Sequence, residues 1–274
     1  MSQDAIDLNE YQIELEKIYN KNQLMKRIRE EFENCEDFDF KKYMVAQKID
    51  PKFGIDLLAQ MALHKRCDLP TLVGVLQRHF VTAQDCADAL DRACEADLVD
   101  WEMTSKMFIV KFTIGQEVQE ELDRFQFPLP LVVPPKKVEC NLDTGMYTSG
   151  GSIILKKNHH DDDVCLDHIN RVNQIAFKID WRVATMVKNQ WRNLDKPKAG
   201  ETKEDFFKRK KAFEKYDRTA HDVMHIITQH TDRFHLTHRY CKRGRTYCQG
   251  YHVNYQGTAW NKAVINFANE EMVE

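Results

Sequence analysis

Near the end of the sequence, Lys242, Arg243 and Arg245 flank Gly244, and Tyr240, Tyr247 and Tyr251 are interleaved with them. Glycine permits close backbone approach, an arginine fork holds phosphate oxygens, and a tyrosine ring packs on a sugar or a base. Together these residue types suit the holding of a nucleic-acid backbone. The plainer reading of the same residues is a charged surface turn.

Two other clusters look like metal chemistry. His221-Asp222-Val-Met-His225 has the i, i+4 histidines of a zinc-protease helix, with His230, His235 and His238 as further imaginable ligands. Asp stands where that motif needs Glu, and one methylene less reaches a zinc-bound water poorly. Histidines on a helix flank explain the pattern more simply. The run His159-His160-Asp161-Asp162-Asp163 reads as a polar loop ending at a helix start. Gly150-Gly151 is a bare pair, there is no P-loop or dinucleotide fingerprint, and no serine or cysteine has the local sequence of a catalytic nucleophile. No metal site is expected on this chain.

The elements that must position these residues are mostly helical. Ten Gly and seven Pro in 274 residues are few, and 42% apolar residues supply a core. Residues 4–34 are helix-forming, and helical periodicity continues over Gly54–His64, Leu69–Phe80 and Thr82–Glu95. Asp68-Leu-Pro and Thr82-Ala-Gln-Asp are helix starts. Met107 to Ile114 predicts a strand, and Glu117 to Phe125 a short helix. Phe127 to Pro135 carries four prolines and predicts extended chain. Asn141 to Lys157 predicts a turn or hairpin. Two long antiparallel helices are then expected. The first covers Asp163 to Trp191, with Leu166, Ile169, Val172, Ile175, Ile179, Val183 and Met186 on one face, and the second covers Thr202 to His230.

The charge is segregated along this order. From Lys196 to Lys262 there are 15 Lys and Arg against 7 Asp and Glu, an excess of eight on a chain of formal net charge −3, so the remainder carries −11. A local excess of this kind draws polyanions whatever the total. Eight cysteines without a Cys-x-x-Cys pair predict free thiols in a reducing compartment. No apolar run approaches the ~20 residues of a bilayer span, and the acidic opening MSQDAIDLNE is unlike a signal peptide.

Three blocks in register resemble single-subunit DNA-dependent RNA polymerases of the phage and mitochondrial type. Cys241-Lys-Arg-Gly244-Arg245, Tyr247, Asn254-Tyr-Gln-Gly257 and Lys262, followed by Ala263-Val-Ile-Asn-Phe-Ala268, resembles the family's Asp/Thr-x-x-Gly-Arg signature. In the family that signature is followed by an aromatic, an Asn-x-x-Gly turn, a basic residue and an apolar helix. Cys241 departs from the usual Asp or Thr. Val132-Val-Pro-Pro-Lys136 with Gly150-Gly151 is similar to the VPPK segment and its glycine turn. Ile169-Asn-Arg-Val-Asn-Gln174-Ile-Ala-Phe177-Lys178-Ile179 is similar to the helix leading into the thumb.

The resemblance implies a mainly α fold with small β elements. It divides the chain into a helical N-terminal domain (1–127), an extended or hairpin connector (128–160), a thumb-like helical pair (161–230) and the start of a palm (231–274). It implies phosphate contacts by Arg245, supported by Lys242, Arg243, Gly244, Tyr247 and Lys262, and a non-specific thumb grip by Lys208, Arg209, Lys211 and Lys215. The family's Asp-Gly-Ser segment does not occur in the sequence, and no His-Asp pair lies in the palm part, His221-Asp222 being upstream on the expected thumb helix; in the family the aspartates of these two elements hold Mg2+. The closest pattern is therefore the split, two-chain form of the family in N-four-like phages. In that form a second subunit would supply the catalytic residues, and this chain would be inactive alone.

Further expectations follow from that form: a melted or single-stranded DNA template, a recruiting factor, the host-cell cytoplasm as location, and Val264, Ile265 and Phe267 at the subunit interface. The alternatives are a stand-alone nucleic-acid-binding accessory protein and a zinc enzyme acting through His221 and His225.

Overall fold

A computed structural model of the chain describes residues 7–19, 21–125, 127–155, 162–189 and 194–270. About 49% of the residues are helical and about 10% lie in small sheets, so the fold is mainly α with small β elements. The chain forms two compact units, Lys21–Gln126 and a second composed of Met1–Asn20 with Phe127–Glu274. The helix-forming stretch 4–34 is accordingly two helices, α1 (Leu8–Ile18) in one unit and α2 (Lys21–Glu33) in the other.

Besides α2, the unit Lys21–Gln126 contains α3 (Phe40–Ala46), α4 (Pro51–His64), α5 (Leu69–Leu76), α6 (Ala83–Glu95) and α7 (Gln116–Phe125). A short 3-10 turn, Gln77–His79, continues α5. The helix starts are set by side-chain caps. Asp50 accepts from the backbone N–H of Lys52 and Phe53 ahead of Pro51, Asp68 accepts from Thr71, and Thr82 with Asp85 forms a reciprocal capping box. Each such cap contributes about 1 kcal/mol. Leu24, Ile28, Phe53, Leu57, Leu58, Met61, Leu72, Leu76 and Leu90 are sealed in the core. Asp56 is buried among them; burial opposes its charge, but hydrogen bonds from His79, Arg78 and Arg29 outweigh burial and hold its carboxyl below the usual range. Three short strands, β1 (Arg66–Cys67), β2 (Asp100–Glu102) and β3 (Met107–Ile109), form an antiparallel sheet in the order β1-β3-β2. The strand expected to Ile114 stops at Ile109 because its neighbours are only two and three residues long.

The other unit is built around α10 (Lys203–Thr228), which starts on its cap Thr202 and is the long basic helix expected there. The expected partner helix Asp163 to Trp191 is not one helix. It is α8 (Leu166–Asn173), strand β4 (Ala176–Ile179) and α9 (Trp181–Met186), while Trp191 lies outside the described residues. Phe177 and Ile179 alternate inward from β4, which is the period of a strand, and Asp180 stops it by accepting from Arg182 and Val183 at the start of α9. The helical pair is thus a single long helix beside a helix–strand–helix.

The C-terminal apolar stretch departs in the same way. α11 (Ala259–Ala263) is one turn, and β8 (Ile265–Phe267) follows it as a strand. With β5 (Phe234–His235), these strands form an antiparallel sheet in the order β5-β4-β8, with Ile179 opposite Ile265 and Phe177 opposite Phe267. A second ribbon pairs β6 (His238–Tyr240) with β7 (Thr246–Cys248). The core joins Ala220, Val223, Met224 and Ile227 of α10 to Phe177, Ile179, Trp260, Val264, Ile265, Val132, Val133 and Leu15. Val264 and Ile265, expected at a subunit interface, are therefore interior residues of this chain. Phe267 alone of the three is exposed.

Helix α1 is fastened to this unit by buried polar groups. Gln12 accepts from the backbone N–H of Val132 at 2.8 Å. Glu16, almost fully buried, accepts from the backbone N–H groups of Tyr147 and Thr148 and from the Thr148 hydroxyl at 2.9, 2.6 and 2.8 Å.

Candidate nucleic-acid interface

The basic turn is the tip of the β6–β7 ribbon. Cys241 N–H donates to the Arg245 carbonyl, and Gly244 N–H to the Cys241 carbonyl, both at 2.9 Å, leaving Lys242, Arg243 and Gly244 as a three-residue loop. Such a loop needs a left-handed third residue, and Gly244 has φ +72°. Lys242, Arg243 and Arg245 are consequently held out to solvent on a hydrogen-bonded tip. Cys241 does not face outward with them. Partial burial raises its thiol, but the Arg243 and Arg245 backbones and the Arg243 guanidinium outweigh that, and the net effect lowers it. The sulfur accepts from Arg243 N–H at 3.4 Å, so it braces the turn as a side-chain acceptor.

The ribbon is anchored by the other two blocks that the sequence singled out. Asn170 of α8 makes a reciprocal pair with the Val138 backbone, at 2.8 and 2.9 Å, and Gln174 donates to the Pro135 carbonyl at 3.3 Å. Asn173 accepts from Nδ1 of His238 on β6 at 2.8 Å, while Nε2 of the same ring accepts from the Tyr255 hydroxyl at 2.8 Å. Burial, helped by His168 nearby, pushes His238 down to about 4, so the ring is a neutral link. Burial likewise pushes the Tyr255 hydroxyl up to about 12, which keeps it a donor. Tyr240 donates to the Cys165 carbonyl at 3.1 Å, and its N–H donates to the Ile153 carbonyl at 2.7 Å. The segment around Val132–Lys136, helix α8 and the basic ribbon therefore meet in one unit.

The remaining basic candidates are placed differently. Lys262 is exposed on α11, and Tyr216 of α10 reaches that helix through the Asn261 side chain at 3.3 Å. Lys208 and Lys211 are exposed on the first half of α10, Lys208 with a loose approach of 3.9 Å to Asp205. Lys215 is also exposed on α10. Arg209 is paired within the chain. Its guanidinium makes two hydrogen bonds, at 2.8 and 2.7 Å, to Glu201 across the start of the helix, and their pairing pushes the Glu201 carboxyl down to about 2. Tyr247 lies on β7 directly opposite Arg239, with part of its ring exposed.

The metal-like histidines are engaged otherwise. Nδ1 of His221 meets the Asp217 carbonyl at 2.9 Å, and its ring packs on Trp260, while His225 stacks on Trp181. His159, His160 and Asp161 lie outside the described residues; Asp163 accepts from the Asn141 N–H. Among the described residues no group of three His, Cys, Asp or Glu side chains is arranged to hold a metal ion. The cysteines are free, and no helix among the described residues is long and apolar enough to cross a membrane.

Two groups were not singled out by sequence. Arg239 is one basic residue among many and precedes the Gly-Arg turn. Gln249 follows β7 and continues the ribbon through its N–H to the Thr237 carbonyl, at 2.9 Å. Both line one cavity. Comparison of the chain with protein-family models gives no match, and comparison with curated proteins gives none either.

Proposed function

We propose that this chain is the non-catalytic subunit of a split, phage-type DNA-dependent RNA polymerase, holding single-stranded template and RNA–DNA hybrid. The observation that carries the reading is the joining of three resembling blocks, far apart in sequence, into one unit that presents the Lys242–Arg245 tip to solvent. Arg245 holds a backbone phosphate, with Lys242, Arg243 and Lys262 beside it in the same task and Tyr247 offering a ring to a base. Lys208, Lys211 and Lys215 on α10 add a sequence-independent attraction.

Two-metal nucleotidyl transfer needs closely placed carboxylates. The resemblance supplies no Asp-Gly-Ser segment in this sequence, and on this reading Mg2+ and its aspartates belong to a second polypeptide. That subunit docks at the free edge of β8, where Phe267 borders a groove of about 810 Å3 with Ile175, Ala176, Lys178 and Asn266. A phage-encoded enzyme of this kind works in the host-cell cytoplasm with a factor that recruits it to melted DNA.

The test is co-expression with the polypeptide that carries the Asp-Gly-Ser and His-Asp segments. A stable pair that extends RNA on a single-stranded template, with neither chain active alone, is the expected result. A chain that binds single-stranded DNA but forms no such pair would be an accessory protein. One that binds no nucleic acid would remove the reading altogether.

A further inference from the structure

A cavity of about 270 Å3 lies behind Tyr247, lined by Pro128, Leu155, Arg239, Tyr247, Cys248 and Gln249. Arg239 and Tyr247 are directly opposed in the β6–β7 register and so share a face, and Gln249, two residues on, continues it. Arg239 Nε is sealed from solvent, and its side chain has no hydrogen-bond or ion-pair partner among the described residues. Gln249 Nε2 is sealed and unpartnered in the same way. The terminal nitrogen of Arg239 lies near Gly151, where an added Cβ would stand 3.6 Å away. Burial works against the guanidinium charge, and no described carboxylate offsets it. Arg239 Nε and Gln249 Nε2, cut off from water without a partner, are costly in an empty fold, and both residues line this one small cavity.

We propose that this cavity is a phosphate pocket, with the Arg239 guanidinium and the Gln249 amide as its donors. Both unpartnered groups are donors, and one carries a full positive charge. That selects an oxyanion over a neutral acceptor. Arg245 directly precedes β7 and is tied to Cys241, in step with the ladder; the alternation that sets Tyr247 opposite Arg239 then puts Arg245 on the same face, so the pocket continues the line of the exposed basic tip. A phosphodiester of single-stranded DNA is the ligand, and the adjoining base rests on Tyr247. The identity of that phosphate's source rests on the nucleic-acid reading above; the pocket itself rests only on the two unpartnered donors.

The experiment compares the full chain with Arg239→Met, Arg239→Lys and a Lys242→Ala/Arg245→Ala double variant. Thermal unfolding is followed with added inorganic phosphate, against succinate at matched ionic strength, and binding of a short fluorescent single-stranded DNA is measured over a range of salt. Phosphate should raise the unfolding midpoint of the wild type and of Arg239→Lys, but not of Arg239→Met. Arg239→Met should itself unfold about 3 °C higher, since it removes an unpaired buried charge. It should bind the oligonucleotide about tenfold more weakly at low salt and lose about 0.7 from the slope of log affinity on log salt.

If Arg239→Met is less stable than the wild type, the guanidinium has a structural partner and the proposal falls. Equal responses to phosphate in the wild type and Arg239→Met, or an equal response to succinate, also overturn it. Oligonucleotide binding lost in the double variant but unchanged in Arg239→Met rejects the pocket and leaves the proposed function standing. A phosphate response that needs Arg239, in a chain that binds no DNA, supports the pocket with a free phosphate ester as ligand and rejects that function.

Discussion

The carboxamide oxygen of Asn173 lies 2.8 Å from Nδ1 of His238, a residue 65 positions later. Through this contact, helix α8 holds the ribbon whose tip carries Lys242, Arg243 and Arg245. The imidazole is buried and neutral, so its two nitrogens have separate tasks, one donating to Asn173 and the other accepting from Tyr255. Replacing Asn173 by Leu leaves the Nδ1 proton of His238 without an acceptor. The cost should be about 1–3 kcal/mol, measured by urea unfolding. An unchanged midpoint would mean that the ring has turned to another partner.

Acid should weaken the fold through buried histidines. His238 and His252 are both pushed down to about 4 by burial, and His252 has no hydrogen-bond partner on either ring nitrogen among the described residues. Below the ordinary histidine range the unfolded chain takes up protons that the folded chain refuses. Stability is therefore fully present above about pH 6.5 and falls as the pH drops toward 4, by up to about 1.4 kcal/mol per pH unit for each ring. His252→Phe should reduce that slope without loss of stability at pH 7, because it removes two unsatisfied buried nitrogens. Urea unfolding at a series of pH values checks both statements.

Two glycines of the ribbon region should respond differently to the same methyl group. At Gly244 nothing lies within 4 Å of an added Cβ, so Gly244→Ala has only the left-handed backbone to oppose it, about 1 kcal/mol. Asn at this position should cost less. At Gly250 the added Cβ would stand 2.0 Å from the Val253 carbonyl oxygen. Gly250→Ala must displace backbone, and we expect a loss of several times that of Gly244→Ala. Equal losses would place the Val253 carbonyl elsewhere.

Salt dependence should separate the basic side chains by their pairing. Neutralising Lys242, Arg243 and Arg245 together should lower the salt slope for single-stranded DNA by about 2, and Lys211→Ala by about 0.7. Arg209→Ala should leave the slope alone, because that guanidinium is already committed to Glu201. A change of slope in Arg209→Ala as large as that in Lys211→Ala would show that the Glu201 pair opens in the complex.

Phe267 gives a test of the second subunit. It is 64% exposed on an edge strand, so Phe267→Asp should change the chain's own stability by no more than about 0.5 kcal/mol. Co-purification of the catalytic polypeptide should be lost. Retention of the pair with unaltered affinity would move the interface away from β8.

Where local chemistry decided the structure, the sequence was readable. Asp68, Thr82 and Thr202 each cap the helix their position predicts, and Lys242-Arg-Gly244 forms the loop that a basic Gly turn requires. The misreading at 163–191 has a definite cause. Ile169, Val172, Ile175 and Ile179 fit a helical stripe, yet the burial of Phe177 with Ile179 follows a two-residue period once β5 and β8 flank them. That pairing comes from residues more than 50 positions away, so no local window contains it. The same holds for Val264 and Ile265, whose burial depends on β4. Arg239 and Arg209 look alike in a count of charges. Only the fold shows that one is paired with Glu201 and that the other faces a cavity.

The ties of Glu16 also set an order in time. Its acceptor oxygens wait for the N–H groups of Tyr147 and Thr148, which follow it by 131 and 132 residues. At ~5–20 residues per second, a growing chain carries α1 without those donors for on the order of ten seconds. Within that interval the whole of Lys21–Gln126, a compact unit of its own, is made. Helix α1 is thus made before the unit Lys21–Gln126 and fastened after it.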